Sequence, residues 1–141
     1  IPNMIYGTAW KKENTTDLVF EALKQGFKAI DTACQPKHYR EDLVGLGLLK
    51  AYEIGIKRQD IFLQTKFTPI DGQDQSNMPY LANDEIEIQV EKSFETSKKN
   101  LKTDFFHTIP KEGIYAKPKY CRDDSRLKNG SFKTTRHPTA G

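Results

Sequence analysis

The chain has 141 residues, a formal net charge of +3, 36% hydrophobic residues and two cysteines, a composition that suits one domain of ordinary size. No apolar run approaches the roughly 20 residues of a membrane span, and no signal-peptide pattern opens the chain, so a membrane or secreted protein is not indicated. Cys34 and Cys121 show neither metal-ligand spacing nor a disulfide framework, which favours a soluble cytoplasmic protein.

Charge divides the chain into two segments. Residues 1–106 carry 14 Lys+Arg against 16 Asp+Glu, a net charge of −2, whereas residues 107–141 carry 8 against 3, a net charge of +5. The second segment lacks apolar periodicity and is rich in Lys, Arg, Gly, Pro, Ser and Thr, so we expect a basic, disordered tail. Nucleic-acid binding by this tail is an alternative, although its charges are scattered and form no recognised module.

The first predicted elements are a strand and a helix. Residues 4–10, "MIYGTAW", are short, apolar and aromatic, which is typical of a buried strand that leads into a loop. Thr15 or Thr16 offers a helix N-cap, and Gly26 stands where a helix end favours a residue that tolerates positive φ. Between them, apolar residues recur at helical spacing: Leu18, Val19, Ala22 and Leu23.

The next strand covers residues 27–31, "FKAID", and a helix is predicted for residues 41–52 after a polar loop. Gly45 and Gly47 weaken this helix in isolation, but they permit close packing, which we expect to be against the sheet. Gly55 is the predicted end of the helix.

The third strand is predicted at residues 60–66, "DIFLQTK", and a loop rich in Gly, Pro and Asn follows at 69–79. Asn83 or Asp84 is the expected cap of a third helix. One face of that helix carries Ile86, Val90, Phe94, Ser97 and Leu101. A fourth strand is predicted to begin within residues 103–106.

This alternation of strands and helices predicts an α/β protein with parallel strands and right-handed crossovers. The doubly wound sheet and the (β/α)₈ barrel both use this order. The Gly-rich dinucleotide fingerprint of the first is missing after each strand. A closed barrel typically needs about 250 residues, so we expect a partial (β/α)₈ barrel of three to four units, followed by an irregular C-terminal tail.

Three ionisable residues stand at comparable places in the predicted sheet. Asp31 ends the second strand, Tyr39 lies in the loop after it, and Lys66 ends the third strand. Functional groups of parallel α/β folds gather at the carboxyl ends of the strands, so Asp31 and Lys66 are expected to pair there. Taken singly, each residue also fits a structural role. Asp31 could be a turn or cap residue, Lys66 a solvent-facing charge and Tyr39 a packed ring.

Several motifs resemble the amino-terminal part of the aldo-keto reductases over residues 1 to about 104. These are "GTAW", "GFKAIDTA" with "HYRED", "DIFLQTKF", and "SKKNLKTD". The residues that match the strand-two signature and the loop after it are Gly26, Phe27, Lys28, Ile30, Asp31, Thr32, Ala33, Tyr39 and Glu41. Lys66 matches the strand-three lysine of the family.

The resemblance implies a carbonyl reductase that uses NADPH on small-molecule aldehydes or ketones. Tyr39 would be the general acid, Lys66 would lower the pKa of its phenol, ordinarily about 10, and Asp31 would hold the lysine. Thr8 and Asp31 would lie near the nicotinamide ribose, and Trp10 would line the carbonyl pocket.

The family also implies a histidine at the end of the fourth strand. His107 comes only three residues after Asp104, before the expected apolar strand. Whether it takes the place of the family histidine is therefore an open question at this point. The abrupt change near Phe106 suggests that the tail arises from a frameshift, a mis-splice or a truncated gene. A remnant of the family without catalytic activity is therefore the alternative function.

Neither a metal nor a cysteine mechanism is expected. His38, His107 and His137 are far apart in sequence and lack cysteine or carboxylate partners at ligand spacing. Cys34 has only His38 nearby as a possible base, so we expect an idle thiol.

Overall fold

Four short parallel strands form one sheet in the order β1-β2-β3-β4. The computed structural model describes residues 2–108. Its strands are β1 (Tyr6–Gly7), β2 (Ala29–Asp31), β3 (Phe62–Thr65) and β4 (His107–Thr108). The α-helices are α1 (Thr15–Lys24), α2 (Glu41–Glu53) and α3 (Ile86–Leu101), and short 3₁₀ turns lie at Lys12–Asn14, Arg58–Asp60 and Ile70–Gly72.

The order of strands and helices confirms the predicted parallel α/β arrangement, with strands shorter than the sequence pattern indicated. Gly26 (φ +106°) and Gly55 (φ +95°) follow α1 and α2, as expected for residues that tolerate positive φ. The predicted cap of α3 is wrong. Glu85 is the residue before the helix, and Asp84 instead accepts from Lys92 at 2.7 Å.

The fourth strand lies at His107–Thr108 and not within residues 103–106. The guanidinium of Arg58 explains this shift, because it donates to the carbonyl of Phe105 and, at 3.2 Å, to Oγ1 of Thr103. These contacts hold the preceding segment outside the ladder. The sheet therefore extends two residues past the predicted segment boundary at 106, and the rest of the predicted tail lies outside the described residues.

The hydrophobic core lies between one face of the sheet and the three helices. Strand residues alternate between the two faces, so Ile30 and Leu63 point into this core while Asp31 and Gln64 lie on the opposite face. The core cluster comprises Val19, Leu23, Ile30, Val44, Leu48, Ala51, Ile61, Leu63, Leu101 and Phe106. The opposite face of the sheet carries the polar side chains, including Asp31 and Gln64.

The two glycines of α2 pack against helices and not against the sheet, which corrects the sequence-based expectation. A Cβ at Gly45 would lie 1.9 Å from the backbone oxygen of Asn100, next to the end of α3. A Cβ at Gly47 would lie 2.8 Å from the backbone oxygen of Thr16 in α1. Glycine is needed at both positions because the helix backbones approach too closely for a side chain.

Among the described residues, no helix combines the length and the apolar character that crossing a membrane requires.

The close approach at Gly45 predicts a large effect of one methyl group. Gly45→Ala should lower the free energy of unfolding by about 2 kcal/mol or more, because the overlap with Asn100 outweighs the better helix propensity of alanine. Urea denaturation followed by circular dichroism measures this. Gly7→Ala is the control, since no heavy atom of the part of the chain that the structure describes lies within 4 Å of its added Cβ. Equal stability of the two variants would contradict the packing argument.

Candidate active site

The parallel ladder between β2 and β3 brings two charged side chains together. Asp31 lies opposite Gln64 in the register. The ladder continues past the ends of both strands, because the amide of Thr32 donates to the carbonyl of Gln64 and that of Cys34 to the carbonyl of Lys66. Asp31 and Lys66, which are 35 residues apart in sequence, therefore meet at the carboxyl end of the sheet.

Asp31 and Lys66 form an ion pair with a third partner. Nζ of Lys66 lies 2.5 Å from Oδ1 of Asp31, and the side chains are 29% and 22% exposed respectively, so water only partly screens the pair. Nε2 of Gln64 donates to the same Oδ1 at 2.6 Å. The predicted pairing of Asp31 and Lys66 is thus present, and Gln64 is an addition that the sequence patterns did not indicate.

Tyr39 is carried toward the pair by a turn in the loop between β2 and α2. The backbone carbonyl of Gln35 accepts from the amides of His38 at 3.0 Å and Tyr39 at 2.9 Å. Nε2 of Gln35 donates to the carbonyl of Gly72 at 2.5 Å, which ties the turn to the following loop. The result places Nζ of Lys66 5.4 Å from the centre of the Tyr39 ring.

The pKa of Tyr39 differs from the expectation. Burial raises the pKa of this phenol above its ordinary value, and the nearby carboxylate of Asp31 raises it further. The predicted lowering by Lys66 is wrong for this structure, because burial and the Asp31 carboxylate both raise the pKa. The phenol therefore keeps its proton at neutral pH.

Thr8 and Trp10 lie beside the same group of residues. Oγ1 of Thr8 is fully buried and donates to the backbone carbonyl of Asp31 at 2.8 Å. Trp10 is 65% exposed, its amide donates to the carbonyl of His38 at 2.8 Å, and its ring centre lies 3.9 Å from that of His38. Thr8 thus supports the end of β2, while the indole stands open to solvent beside the loop of Tyr39.

Glu41, the first residue of α2, anchors the loop that carries Tyr39. Its side chain is only 3% exposed, and it accepts from the hydroxyls of Thr65 and Ser97, the latter at 3.0 and 3.1 Å. Burial raises the pKa of this carboxyl. A buried carboxyl that binds β3 and α3 at once fixes the position of α2 and of the residues just before it.

Cys34 is a buried, free thiol next to this carboxyl. Burial raises its pKa to about 12, and the charge of Glu41 contributes in the same direction. A thiol that stays protonated is a poor nucleophile. The expectation of an idle thiol agrees with this environment.

His107 lies in the same row as Asp31 and Gln64 across three strands, since its Cα pairs with that of Gln64 in the register. Its ring stacks on Phe62 at 3.9 Å between centres, and its Nδ1 lies 3.3 Å from the carbonyl of Leu63. Lys66 lies just past the end of β3, two residues after Gln64, or roughly 7 Å further at the rise of a strand. The histidine is therefore on the polar face but below the level of Lys66.

A cavity of about 580 Å³ adjoins the other side of the Tyr39 loop. Its walls include Tyr39, Arg40, Met78 and Asn100, whereas Asp31, Lys66 and Trp10 do not line it. The cavity is therefore separate from the ion pair. Within residues 2–108, no group of three or more histidine, cysteine or acidic side chains is placed to hold a metal ion.

Comparisons with known proteins identify the family of this chain. The sequence profile of the Aldo/keto reductase family matches residues 3–108. The chain belongs to the aldo/keto reductase family. The resemblance seen in the sequence is thereby confirmed, and the solved structures of this family confirm the fold as part of a (β/α)₈ barrel.

Two aldo-keto reductase structures illustrate the likeness. That of Bombyx mori in complex with NADP has a TM-score of 0.58 and 24% identity, and that of Brucella melitensis has a TM-score of 0.53 and 34% identity. Each match covers 75% of this chain but only 32% and 34% of the respective structure. This chain thus spans about a third of the length of these aldo-keto reductases.

One curated relative also matches. The NAD(P)H-dependent D-xylose reductase of Pachysolen tannophilus is 40% identical over 58 residues, which is 40% of this chain and 18% of the relative.

Burial of Cys34 predicts very slow chemical modification. In a Cys121→Ser variant, Ellman's reagent at pH 8 should react with Cys34 of the folded protein at least about 100-fold more slowly than with free cysteine. The reagent cannot reach the buried sulfur, and the raised pKa keeps the thiol protonated. The same variant unfolded in guanidinium is the control and should react fully. Rapid reaction of the folded protein would contradict the buried position.

The raised pKa of Glu41 predicts a specific pH dependence of stability. A carboxyl whose pKa is higher in the folded than in the unfolded state stabilises the fold at pH values below its ordinary pKa of 4.5, and this contribution is lost as the pH rises through the folded pKa. Glu41→Gln should therefore gain stability relative to the wild type between pH 4 and pH 7. Urea denaturation at several pH values measures the difference.

Glu21→Gln is the matched control, because Glu21 is exposed on α1. Its stability should follow the wild-type pH profile. A constant difference between Glu41→Gln and the wild type across this pH range would show that Glu41 has no raised pKa.

Proposed function

We propose that this chain carries the proton-donating part of a cytoplasmic, NADPH-dependent reductase of small aldehydes or ketones, with Tyr39 as the proton donor. The observation that carries the proposal is the Asp31–Lys66 ion pair beside the ring of Tyr39 at the carboxyl ends of β2 and β3. Membership of the aldo/keto reductase family supports it. The free thiol of Cys34 fits a reducing compartment.

Each residue has a distinct part in the proposed chemistry. When bound, NADPH supplies the hydride that reduces the carbonyl carbon. Oη of Tyr39, protonated at neutral pH, donates its proton to the carbonyl oxygen. The ammonium of Lys66 stabilises the negative charge that then develops on the phenol, and Asp31 holds that ammonium in place.

The residues present also suit a nicotinamide. Gly7 lies opposite Asp31 in the register, and among the described residues no heavy atom lies within 4 Å of the position that a Cβ would occupy there. This open space would let a nicotinamide approach Asp31 and Thr8, which would hold it. Trp10, exposed on the same side, is the proposed wall of the carbonyl pocket.

The cofactor assignment is supported by relatives. The Bombyx mori structure contains NADP, and the Pachysolen tannophilus enzyme is named for NAD(P)H. The resemblance to the family implies that the adenosine and its 2′-phosphate would be held by loops of later strands, beyond the four strands described. A remnant without catalytic activity is the second candidate, because the raised pKa of Tyr39 makes its phenol a weaker acid.

Replacement of Tyr39 tests the proposal. Tyr39→Phe should lower the rate of NADPH-dependent reduction of 4-nitrobenzaldehyde by at least about 100-fold, the usual effect of losing a general acid. The decrease in NADPH absorbance at 340 nm measures the rate. Tyr52→Phe is the matched control, because the hydroxyl of Tyr52 in α2 is buried and has no hydrogen-bond partner within residues 2–108, so its removal should not change the rate.

The wild-type chain decides between the two candidates. Quenching of Trp10 fluorescence by NADPH together with turnover supports the reductase. Absence of both at millimolar NADPH supports the remnant. Turnover that Tyr39→Phe leaves unchanged would refute Tyr39 as the donor.

A further inference from the structure

We infer that Gln64 is a positioning residue of the candidate site, which holds the Asp31 carboxylate so that Lys66 stays beside Tyr39. This inference builds on the proposed function of those three residues. It adds a residue that the resemblance to the aldo-keto reductases did not include.

The register of the sheet puts Gln64 in contact with the ion pair. Gln64 and Asp31 are directly opposite on adjacent parallel strands and lie on the same polar face. Nε2 of Gln64 donates to Oδ1 of Asp31 at 2.6 Å, and Nζ of Lys66 donates to the same oxygen at 2.5 Å. Two donors from one strand therefore converge on a single carboxylate oxygen.

The chemistry of the groups sets the direction of this contact. An ionised carboxylate only accepts hydrogen bonds, so the amide of Gln64 must present its NH₂ group to Asp31. With two donors on Oδ1, rotation of the carboxylate breaks both contacts at once. Because the pair is only partly exposed, water replaces them incompletely. The amide thus restricts Asp31 to the orientation in which it binds Lys66.

Loss of the Gln64 amide should change the pKa of Tyr39. The Asp31 charge already opposes ionisation of the phenol. Without the NH₂ group of Gln64, that charge is less well compensated and Lys66 is held less tightly, and both changes disfavour phenolate. The Tyr39 pKa therefore distinguishes the two roles of Gln64: it should change if Gln64 positions Asp31, and it should not change if Gln64 only stabilises the fold.

The first test replaces Gln64 with a residue of similar length that cannot donate. In the full chain labelled with [¹³Cζ]tyrosine, Gln64→Met should raise the Tyr39 pKa by at least about half a unit, with the Tyr39 signal assigned from Tyr39→Phe. Gln25→Met is the matched control, because Gln25 also donates to a carboxylate, Glu21 at 2.8 Å, but on the surface of α1. Equal Tyr39 pKa values in the two variants would overturn the inference.

A double-mutant cycle tests whether Gln64 acts through Asp31. In an Asp31→Asn background, Gln64→Met should leave the Tyr39 pKa unchanged within error. A shift as large as that in the wild-type background would mean that Gln64 acts on Tyr39 by another route and would refute the positioning role.

A measurement on the wild-type chain covers the case in which a variant fails to fold. The side-chain NH₂ protons of Gln64 should exchange with solvent more slowly than those of Gln25, because the contact of Gln64 with Asp31 is partly buried whereas that of Gln25 with Glu21 is exposed. Equal exchange rates of the two amides would contradict the contact.

These experiments need no turnover. A shifted Tyr39 pKa in Gln64→Met, combined with turnover that Tyr39→Phe does not affect, would refute the proposed function alone. An unchanged Tyr39 pKa in Gln64→Met, combined with turnover that Tyr39→Phe abolishes, would refute the role of Gln64 alone.

Discussion

The parallel pairing of β2 and β3 is the constraint on which the candidate site depends. It places Asp31 opposite Gln64, and its continuation past the strand ends brings Lys66 within 2.5 Å of the carboxylate. A slip of one residue would turn either Asp31 or Lys66 into the apolar core, because alternate strand residues face opposite sides. Burial of Ile30 and Leu63 in that core therefore specifies the geometry of the ion pair as well as the stability of the sheet.

A second, buried polar contact holds the remaining part of the site. Glu41 lies two residues after Tyr39, and its carboxyl binds the hydroxyls of Thr65 on β3 and Ser97 on α3. Burial of an ionisable group costs stability unless its hydrogen bonds are satisfied, and here the surrounding hydroxyls satisfy it. The close approach of α2 to α3 at Gly45 completes this anchor. The phenol is thus supported by the same packing that joins the helices.

The chemistry of the site follows from how its charges are compensated. Lys66 is paired with Asp31, and burial together with the Asp31 charge keeps the Tyr39 phenol protonated at neutral pH. In the proposed reaction, the ammonium of Lys66 would stabilise the charge that develops on the phenol. Cys34 lies in the same loop as Tyr39, but burial and the charge of Glu41 raise the pKa of its thiol, which makes it a poor nucleophile. Among the described residues, the proposed proton transfer would therefore fall to Tyr39, with Asp31 and Lys66 beside it.

The order of strands and helices could be predicted from the sequence, because apolar periodicity and glycine at helix ends are local signals. The sequence also predicts Asp31, Tyr39 and Lys66 as site residues, through their places after strands and their likeness to the aldo-keto reductases. Tertiary structure alone decided the raised pKa of Tyr39 and the contact of Gln64, since both depend on burial and on groups distant in sequence. The start of β4 at His107 also depends on tertiary structure. Arg58 holds the preceding segment apart from the sheet through contacts with Thr103 and Phe105, which are 45 and 47 residues away in sequence.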